Sequence, residues 1–384
     1  MNRHLGVWAA GLLVMLVIGL TGYHLLQPAP PSSSGVAVSS ALGGDDHAGY
    51  QRAYQPRPFQ FPADHGPHPE FRNEWWYVTG NLADATGRPF GYQLTIFRIA
   101  LSPIAPPADS PWRVNQVYMG HLALTDFAGN RHYGFERFSR GALGLAGAQA
   151  TPFRIWLENW ALTGAESDLF PLRLRAQEGD ITLDLTLGTG KPIVLQGDRG
   201  LSQKSAEPGN ASYYYSYTRL PTQGVVSVAG QNFTVSGASW LDREWSTSAL
   251  GPDQNGWDWF ALQLDDGRDL MFYRLRHKDG GMDSFSKGAL VETDGQPRLL
   301  RWNEVELQPL GEWISPHTGD RYPAGWRLQL PAVNLDLTVT PKVADQEVRL
   351  TVRYWEGAVA VSGRTGDRII SGQGYLEMTR YAPR

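Results

Sequence analysis

An internal repeat is the feature that most constrains the fold of this 384-residue chain. The segment LRLRAQEGDITLDLTL at 172–187 resembles WRLQLPAVNLDLTVTP at 326–341. Further along, a tyrosine-rich run and FTVSGASWLDREW at 233–245 resemble YWEGAVAVSG and then IISGQGYLEMTRY at 369–381. Each copy passes through V-x-V-x-G to a strand that ends in an aromatic residue and an acid. Two copies of one domain, separated near 247–255, are the simplest account.

The strand pattern indicates an all-β protein. Alternating apolar and polar positions run through segments such as Phe90–Ile99 and Ile181–Leu187, and turn residues separate them. Glycine (43) and proline (26) are abundant, while charged residues make up only 19%. We expect about eight to ten strands per copy, enough to close a small barrel around one ligand. We also expect unbroken strands over Phe153–Leu162 and Leu299–Leu307.

The amino terminus predicts a membrane address. An apolar run from Leu5 to Leu26 follows Arg3. It is longer than the roughly 7–15 residues of a signal-peptide core and close to the roughly 20 that span a bilayer. The basic flank places the amino terminus inside and the body outside. We expect residues 1–27 to be an uncleaved anchor that holds the body on the periplasmic or extracytoplasmic face of the inner membrane. The alternative is a signal peptide, with secretion of the protein after cleavage.

The remaining boundaries follow from composition. Residues 28–50 are rich in Pro, Ser, Gly and Ala and predict a flexible linker. Two barrel domains are then expected at 51–247 and 248–384. The absence of cysteine excludes disulfides, a thiolate nucleophile and cysteine-ligated zinc. The net charge of −4 gives no sign of a nucleic-acid partner, and no phosphate-binding or dinucleotide motif is present, so no cofactor is expected.

The stretch FPADHGPHPEFRNEWWYVTGNL at 61–82 joins a proline-stiffened polar loop to an aromatic strand. One interpretation is a structural plug for the end of a barrel. The other is that four residues of the stretch face a ligand cavity: Asp64, His65, Glu74 and Trp76. The spacing of His65 and His68 invites a metal site, but Gly66 and Pro67 exclude the helix that would align them, so no metal is expected. A histidine acting as a general acid or base, or as a hydrogen-bonding clasp, fits better.

A second cluster places Asp242, Arg243 and Glu244 between Trp240 and Trp245. On a strand, Asp242 and Glu244 share one face and Arg243 takes the other. Charges in such an apolar setting are costly unless they are paired. They are therefore either a clasp between the two domains, or acids whose pKa is raised by burial and which protonate or activate a substrate.

These patterns give two sets of candidate site residues. Aromatic faces could line a pocket for a long apolar molecule and stabilise a passing carbocation. The candidate catalytic residues are Asp242, Glu244, His65 and Asp64. The candidate ligand-binding residues are Glu74, Trp76, Tyr77, Trp240, Arg243, Trp245, Trp257 and Trp259.

The two motifs already quoted, the extension of the second through SALGPDQNGWDWFALQLDDGRDLMFYRLR, and the closing SGQGYLEMTRY resemble the AttH family, which is similar to the carotenoid 1,2-hydratases. The resemblance spans about residues 54–381 and implies two lipocalin-like, calycin-type β-barrels in tandem. It also implies relatives that add water to an isoprenoid double bond without a cofactor, others that carry out cyclising steps, and a link with ABC-transporter permeases. The family label "hydrolase" finds no G-x-S-x-G nucleophile motif in this sequence.

Two functions follow as hypotheses. The first is a membrane-tethered protein that binds a lipid or isoprenoid-like ligand, with an ABC-transporter permease as a partner. The second is a cofactor-independent hydratase that acts on an isoprenoid double bond. The sequence leaves open whether the protein is an enzyme, because the same acids serve as clasps in the first hypothesis and as proton donors in the second.

Overall fold

The computed structural model describes residues 47–104, 107, 109–248, 250–379 and 381. The predicted anchor and nearly all of the predicted linker lie outside this range. Among the described residues, none of the helices has the length and apolar character needed to cross a bilayer. Strands dominate, with single-turn 3-10 helices at Ala63–His65, Trp302–Glu304 and Pro331–Val333. The all-β prediction is therefore confirmed.

The first sheet is antiparallel and has the strand order β4-β3-β2-β1-β13-β12-β9-β8-β7-β6-β5, with β10 and β11 also paired to β12. Its strands are β1 Asn73–Asp84, β2 Pro89–Ala100, β3 Gln116–Asp126, β4 Arg131–Arg140, β5 Ala146–Ala150, β6 Phe153–Leu157, β7 Trp160–Thr163, β8 Leu172–Glu178, β9 Ile181–Leu187, β10 Val194–Leu195, β11 Leu201–Gln203, β12 Ala211–Val228 and β13 Gln231–Ser246. The sheet curls until its ends approach each other: a Cβ on Gly120 of β3 would lie 2.7 Å from Leu157 of β6. It is a nearly closed barrel.

The second sheet forms a half-barrel with the order β17-β16-β15-β14-β25-β24-β22-β21-β18, and β23 also pairs with β24. Its strands are β14 Gln254–Leu264, β15 Asp269–His277, β16 Lys287–Val291, β17 Pro297–Arg301, β18 Glu306–Pro309, β21 Trp326–Leu330, β22 Leu335–Pro341, β23 Glu347–Arg349, β24 Arg353–Thr365 and β25 Arg368–Thr379. A separate two-stranded sheet pairs β19 Glu312–Ile314 with β20 Arg321–Pro323.

The two sheets share one order of eight strands. The path from β4 through β1 and β13 to β8 in the first sheet matches the path from β17 through β14 and β25 to β21 in the second. The segments that echo each other in the sequence lie at equivalent places on these paths: 172–187 covers β8 and β9, and 326–341 covers β21 and β22. The repeat is therefore visible in the topology.

The central strands are buried on both faces. β1, β2 and β3 have nearly continuous buried runs, whereas β8 and β9 alternate between buried and more exposed positions. One face of each central strand packs inside its own sheet, and the other packs against the opposite sheet through an aromatic layer that includes Tyr77, Trp259 and Tyr375. This double burial places side chains of both sheets around a shared space.

Two predicted strands are interrupted. The segment 153–162 breaks into β6 and β7 because Glu158 adopts a left-handed backbone with φ of 56°, which turns the chain into a hairpin. The segment 299–307 breaks at a 3-10 turn, where the carboxylate of Glu304 accepts a hydrogen bond from the Arg301 amide at 3.0 Å. Local side-chain hydrogen bonds and turn geometry overrode the alternating pattern at these places.

Candidate functional site

A cavity lies between the two sheets. Its empty volume, counted with its open mouth, is about 860 Å³, which is in the range of small-molecule sites. Most lining residues come from β1, β2, β12 and β13 and from their counterparts β14, β15, β24 and β25: Trp75, Tyr77, Thr95, Phe97, Tyr214, Asp242, Glu244, Trp257, Trp259, Tyr273, Leu275, Tyr354, Glu356 and Glu377. Lys204, Ser248 and Leu250 complete the lining.

The lining repeats from one sheet to the other. One row of adjacent cross-strand positions in the first sheet carries Thr95, Tyr77, Asp242 and Ser216. The equivalent row in the second sheet carries Tyr273, Trp259, Glu377 and Glu356. Asp242 and Glu377 therefore hold equivalent positions, and they face one cavity from opposite sheets.

Asp242 is fixed by three donors. Its carboxylate accepts hydrogen bonds from the Tyr214 hydroxyl at 2.6 Å, the Ser216 hydroxyl at 2.6 Å and the Trp240 indole at 2.7 Å. Burial nevertheless raises the pKa of Asp242 to about 7, because these donors only partly replace the lost water. The group is therefore poised to gain or lose a proton near neutral pH.

Glu377 and Glu356 lie side by side on β25 and β24. Burial raises the pKa of Glu377 to about 7, although the Trp257 indole donates to its carboxyl at 2.8 Å. Burial and the nearby Glu377 raise the pKa of Glu356 well above its usual range, and the hydroxyls of Tyr77 and Tyr354 only partly oppose this rise. Within the described part of the chain, neither oxygen of Glu356 has a well-aligned hydrogen-bond partner. The pair holds at least one proton at neutral pH.

The lining also contains an ion pair, between Lys204 and Glu244, that has no counterpart in the second sheet. Lys204 Nζ lies 2.9 Å from Glu244 Oε1 and 4.2 Å from the centre of the Tyr273 ring. Burial would lower the pKa of Lys204, but the carboxylate of Glu244 outweighs it and the pKa is raised. At the place equivalent to Glu244, where the strand that carries Glu377 continues, the second sheet has Thr379. The cavity therefore holds an ion pair of Lys204 with Glu244 in addition to its buried acids.

The pKa of Asp242 predicts a pH-dependent stability. Between the usual value of 3.8 and about 7, the folded protein binds more protons than the unfolded chain. The free energy of unfolding should therefore fall as pH rises through this window. About three pKa units correspond to at most about 4 kcal/mol for this group. Urea denaturation of Asp242→Asn should show a flatter pH dependence than the wild-type protein.

The matched control is Asp294→Asn, which changes an exposed carboxylate in a loop. This variant should keep the wild-type pH dependence of unfolding. If Asp242→Asn also kept it, the carboxyl of Asp242 would be ionised in the folded protein at these pH values.

The residues of the proline-stiffened loop lie elsewhere. Glu74 is fully buried inside the first sheet, forms ion pairs with Arg98 and Arg243, and accepts hydrogen bonds from the amide of His68 at 3.0 and 3.1 Å. Burial opposes ionisation of Glu74, but the two guanidinium groups outweigh it and hold its pKa well below the usual range. The loop therefore plugs one end of the nearly closed barrel with a charged network.

The other members of the loop join this plug. Asp64 pairs with Arg57 at 2.7 Å and with His68 at 3.1 Å. Burial lowers the pKa of His65 to about 4, and its Nδ1 lies 2.7 Å from the Tyr215 hydroxyl. The His68 ring stacks on Trp245, with centroids 3.8 Å apart.

The candidate residues named from the sequence thus divide into two groups. Those that line the cavity are Asp242, Glu244, Tyr77, Trp257 and Trp259. Trp240 lies just behind the lining, since it donates to Asp242 and packs edge-on against Trp259. Those that belong to the interior of the first sheet and its plug are Asp64, His65, Glu74, Trp76, Arg243 and Trp245.

Sequence reasoning missed Glu356, Glu377 and Lys204. The repeat contained a signal for one of them, because Trp240-Leu-Asp242 aligns with Tyr375-Leu-Glu377. No metal centre emerges: across the described residues, no three His, Asp or Glu side chains converge as ligands.

The fold and the cavity define a class of all-β proteins in which two related antiparallel sheets enclose an aromatic space that holds buried carboxyl groups. The chain belongs to the AttH-like family, whose profile matches residues 52–381. No curated protein sequence matches the chain.

Solved structures share this fold. A candidate AttH from Nitrosomonas europaea is 34% identical, with a TM-score of 0.76 over 86% of this chain and 100% of that one. Kievitone hydratase from Nectria haematococca is 14% identical, with a TM-score of 0.65 over 87% of this chain and 96% of that one. CghA, solved with Sch210972, is 14% identical, with a TM-score of 0.55 over 89% and 97%. The last two likenesses concern the fold alone.

Proposed function

We propose that the protein is a cofactor-independent enzyme that adds water to a carbon–carbon double bond of a hydrophobic substrate, or removes it. The observation that carries this proposal is the pair Asp242 and Glu377, which face one aromatic cavity from opposite sheets and both have a pKa raised to about 7 by burial. An acid and a base on opposite sides of a bound alkene are what such a reaction needs. The fold shared with kievitone hydratase, a hydratase by name, is consistent with this chemistry.

The reaction follows from the positions of the two acids. Glu377, in its protonated form, transfers its proton to one alkene carbon and becomes a carboxylate, leaving a carbocation on the other carbon. Water forms a bond to the cation, and Asp242, as a carboxylate, takes the proton that the water loses. The alkene has then gained one water, and one proton has moved from Glu377 to Asp242. Proton exchange resets both groups, and the reverse sequence is dehydration.

The aromatic walls stabilise the charged intermediate. Trp259 packs edge-on against Tyr77 at 5.1 Å, and both line the cavity. Ring faces next to a desolvated cation contribute up to about 2 kcal/mol each. The ion pair of Lys204 with Glu244 offers a polar end where an oxygen atom of the substrate can bind.

A second candidate function is favoured by the apolar share of the lining. Trp75, Phe97, Leu250 and Leu275 line the cavity together with the tyrosines and tryptophans. A protein that carries a lipid or isoprenoid-like ligand without changing it would use the same walls, and an ABC-transporter permease would be its partner. In that case Asp242 and its three donors serve as a structural clasp.

Native mass spectrometry of the full chain, purified in detergent from its membrane fraction and followed by lipid extraction, separates the two functions. A bound unsaturated terpenoid or polyketide together with its hydrated form supports the enzyme. A mixed set of phospholipids or fatty acids supports the carrier. An unchanged single ligand in both the wild-type protein and Asp242→Asn contradicts turnover.

We propose further that the described body lies on the extracytoplasmic side of the membrane, held by the amino-terminal segment. Because the chain has no cysteine, a single introduced thiol reports its compartment. Ile369→Cys changes a side chain that is 85% exposed. In spheroplasts we expect labelling by an impermeant maleimide without lysis, and we expect Asn2→Cys to be labelled only after lysis. Labelling of Ile369→Cys only after lysis would contradict this location.

A further inference from the structure

A polar path leaves the cavity behind Glu356. His121 on β3 of the first sheet is 1% exposed and reaches across to β24 of the second sheet. Its Nδ1 lies 2.7 Å from the Tyr354 hydroxyl, and its Nε2 lies 3.2 Å from Glu136 Oε1. Tyr354 lines the cavity beside Glu356 and interacts with its carboxyl. Three ionisable side chains therefore form a hydrogen-bonded path from the cavity to the edge of the protein, and Glu356 lies beside its inner end.

We propose that Glu136, His121 and Tyr354 form a proton relay that reloads Glu356, and through it Glu377, from solvent. The proposal deepens the proposed function, since it supplies the proton that hydration consumes at Glu377. Glu136 is the outer end, because its side chain is 12% exposed. Glu356 is the inner end and is 1% exposed. An apolar substrate in the cavity mouth would cut Glu356 off from water, so a path from behind is needed.

The protonation states fix the hydrogen-bond directions in the loaded relay. Burial would raise the pKa of Glu136, but hydrogen bonds from His121 and Thr351 outweigh it and lower the pKa, so Glu136 is a carboxylate that only accepts. His121 therefore carries its proton on Nε2, and its Nδ1 accepts from the Tyr354 hydroxyl. The Tyr354 oxygen is then free to accept from the protonated Glu356. Every donor points from the cavity toward the surface.

Reloading runs in the opposite direction. Reloading uses the other neutral tautomer of His121, with the proton on Nδ1, and the ring must return to this tautomer before each transfer. When Glu356 has lost its proton, the Tyr354 hydroxyl gives its proton to Glu356, and the Tyr354 oxygen takes the proton of His121 Nδ1. Glu136 takes a proton from solvent and passes it to Nε2, which leaves His121 with its proton on Nε2 and Glu136 a carboxylate again. Each step breaks one O–H or N–H bond and forms another, and the net change is one solvent proton moved to Glu356. The two directions differ in which ring nitrogen carries the proton, so an imidazole is required at this position.

Aromatic rings surround His121 and leave it few groups to which it could lose a proton outside the relay. The ring stacks on Tyr354 with centroids 5.6 Å apart and lies edge-on to Phe97 at 5.6 Å. The charged and titratable groups that contact it are Glu136 and Tyr354. The relay crosses from one sheet to the other, so the two sheets must stay together for it to work.

The test is a pH-jump experiment on the full chain in detergent, with infrared detection of the carbonyl stretch of protonated carboxyl groups. The band lost in Glu356→Gln identifies Glu356. We expect His121→Phe, which keeps a stacked ring but lacks both nitrogens, to reprotonate this group about tenfold more slowly or worse, with the same final amplitude. The control is His132→Phe, which changes a β4 histidine that bonds Thr125 at 2.9 Å and does not line the cavity.

Wild-type reprotonation rates in His121→Phe would overturn the relay. If His121→Phe fails to fold, Tyr354→Phe decides the matter, because it removes only the hydroxyl and should slow reprotonation in the same way. The proton-transfer rate needs no substrate, so the two proposals fail separately. Slow reprotonation in His121→Phe, together with a wild-type protein that shows no turnover, would support the relay and contradict the hydratase. Normal reprotonation in His121→Phe, together with turnover by the wild-type protein, would contradict the relay and support the hydratase.

Discussion

Glu377→Gln is expected to lose about 10²- to 10⁴-fold in turnover, the usual contribution of a positioned general acid. The amide keeps the shape of the carboxyl and can still meet the Trp257 indole, which now lies 2.8 Å from Glu377 Oε1. It cannot deliver a proton to an alkene. We therefore expect kcat to fall while the affinity for the hydrophobic substrate stays nearly constant, measured by steady-state kinetics and by ligand titration of the same preparations.

The matched control is Glu306→Gln on β18, an exposed glutamate of the same half-barrel that does not line the cavity. It should leave kcat and binding unchanged. Wild-type turnover in Glu377→Gln would remove this residue from the chemistry. Loss of binding together with turnover would indicate that the glutamate holds the ligand and does not protonate it.

Glu74→Gln is expected to cause the largest loss of stability, about 3–5 kcal/mol in the free energy of unfolding. The carboxylate is completely buried and forms ion pairs with the guanidinium groups of Arg98 and Arg243, whose side chains are also completely buried. Removing its charge leaves two cations inside the barrel without a counter-ion, which is far more costly than losing a surface pair. Urea denaturation at neutral pH measures the effect.

Asp184→Asn provides the comparison, because Asp184 pairs with Arg173 on the surface of β8 and β9, where both side chains are well exposed. We expect less than about 1 kcal/mol for this change. A similar small loss in Glu74→Gln would mean that water or another anion compensates the two arginines, and that the loop is not held in place by this network.

The sequence was sufficient to predict the fold class and the internal repeat. Strand periodicity and the echo of 172–187 in 326–341 were enough to predict an all-β chain with two related units, because both signals are local. The alternation rule also put Asp242 and Glu244 on one face and Arg243 on the other. The structure has that arrangement, with the two acids lining the cavity and Arg243 paired with Glu74.

What the sequence could not decide was which face looks into the cavity. On β1, Trp75 and Tyr77 line the cavity while Glu74 and Trp76 point into the first sheet. Both faces are buried, so hydrophobicity gives no preference between them. Which face of β1 is turned toward the cavity is decided by the packing of the two sheets, whose strands are far apart in the sequence.

Glu356 and Lys204 could not be predicted as cavity residues from the sequence, for two different reasons. Glu356 occupies the position that Ser216 occupies in the first sheet. Because the equivalent residue is not an acid, comparing the two copies gives no signal for Glu356. Lys204 follows the short strand β11, where no periodicity exists to place its side chain. Their roles depend on contacts between distant segments, such as the ion pair of Lys204 with Glu244.

Oxygen-isotope incorporation tests directly whether the protein adds water to a hydrophobic substrate. The full chain is incubated in H₂¹⁸O with a lipid extract of the cells that produce it, and the products are analysed by mass spectrometry. We expect a hydrophobic compound that gains one H₂¹⁸O with the wild-type protein, and much less of this product with Asp242→Asn or Glu377→Gln. Equal labelling by all three proteins, or an extract compound that binds in the cavity and never gains the label, would contradict it.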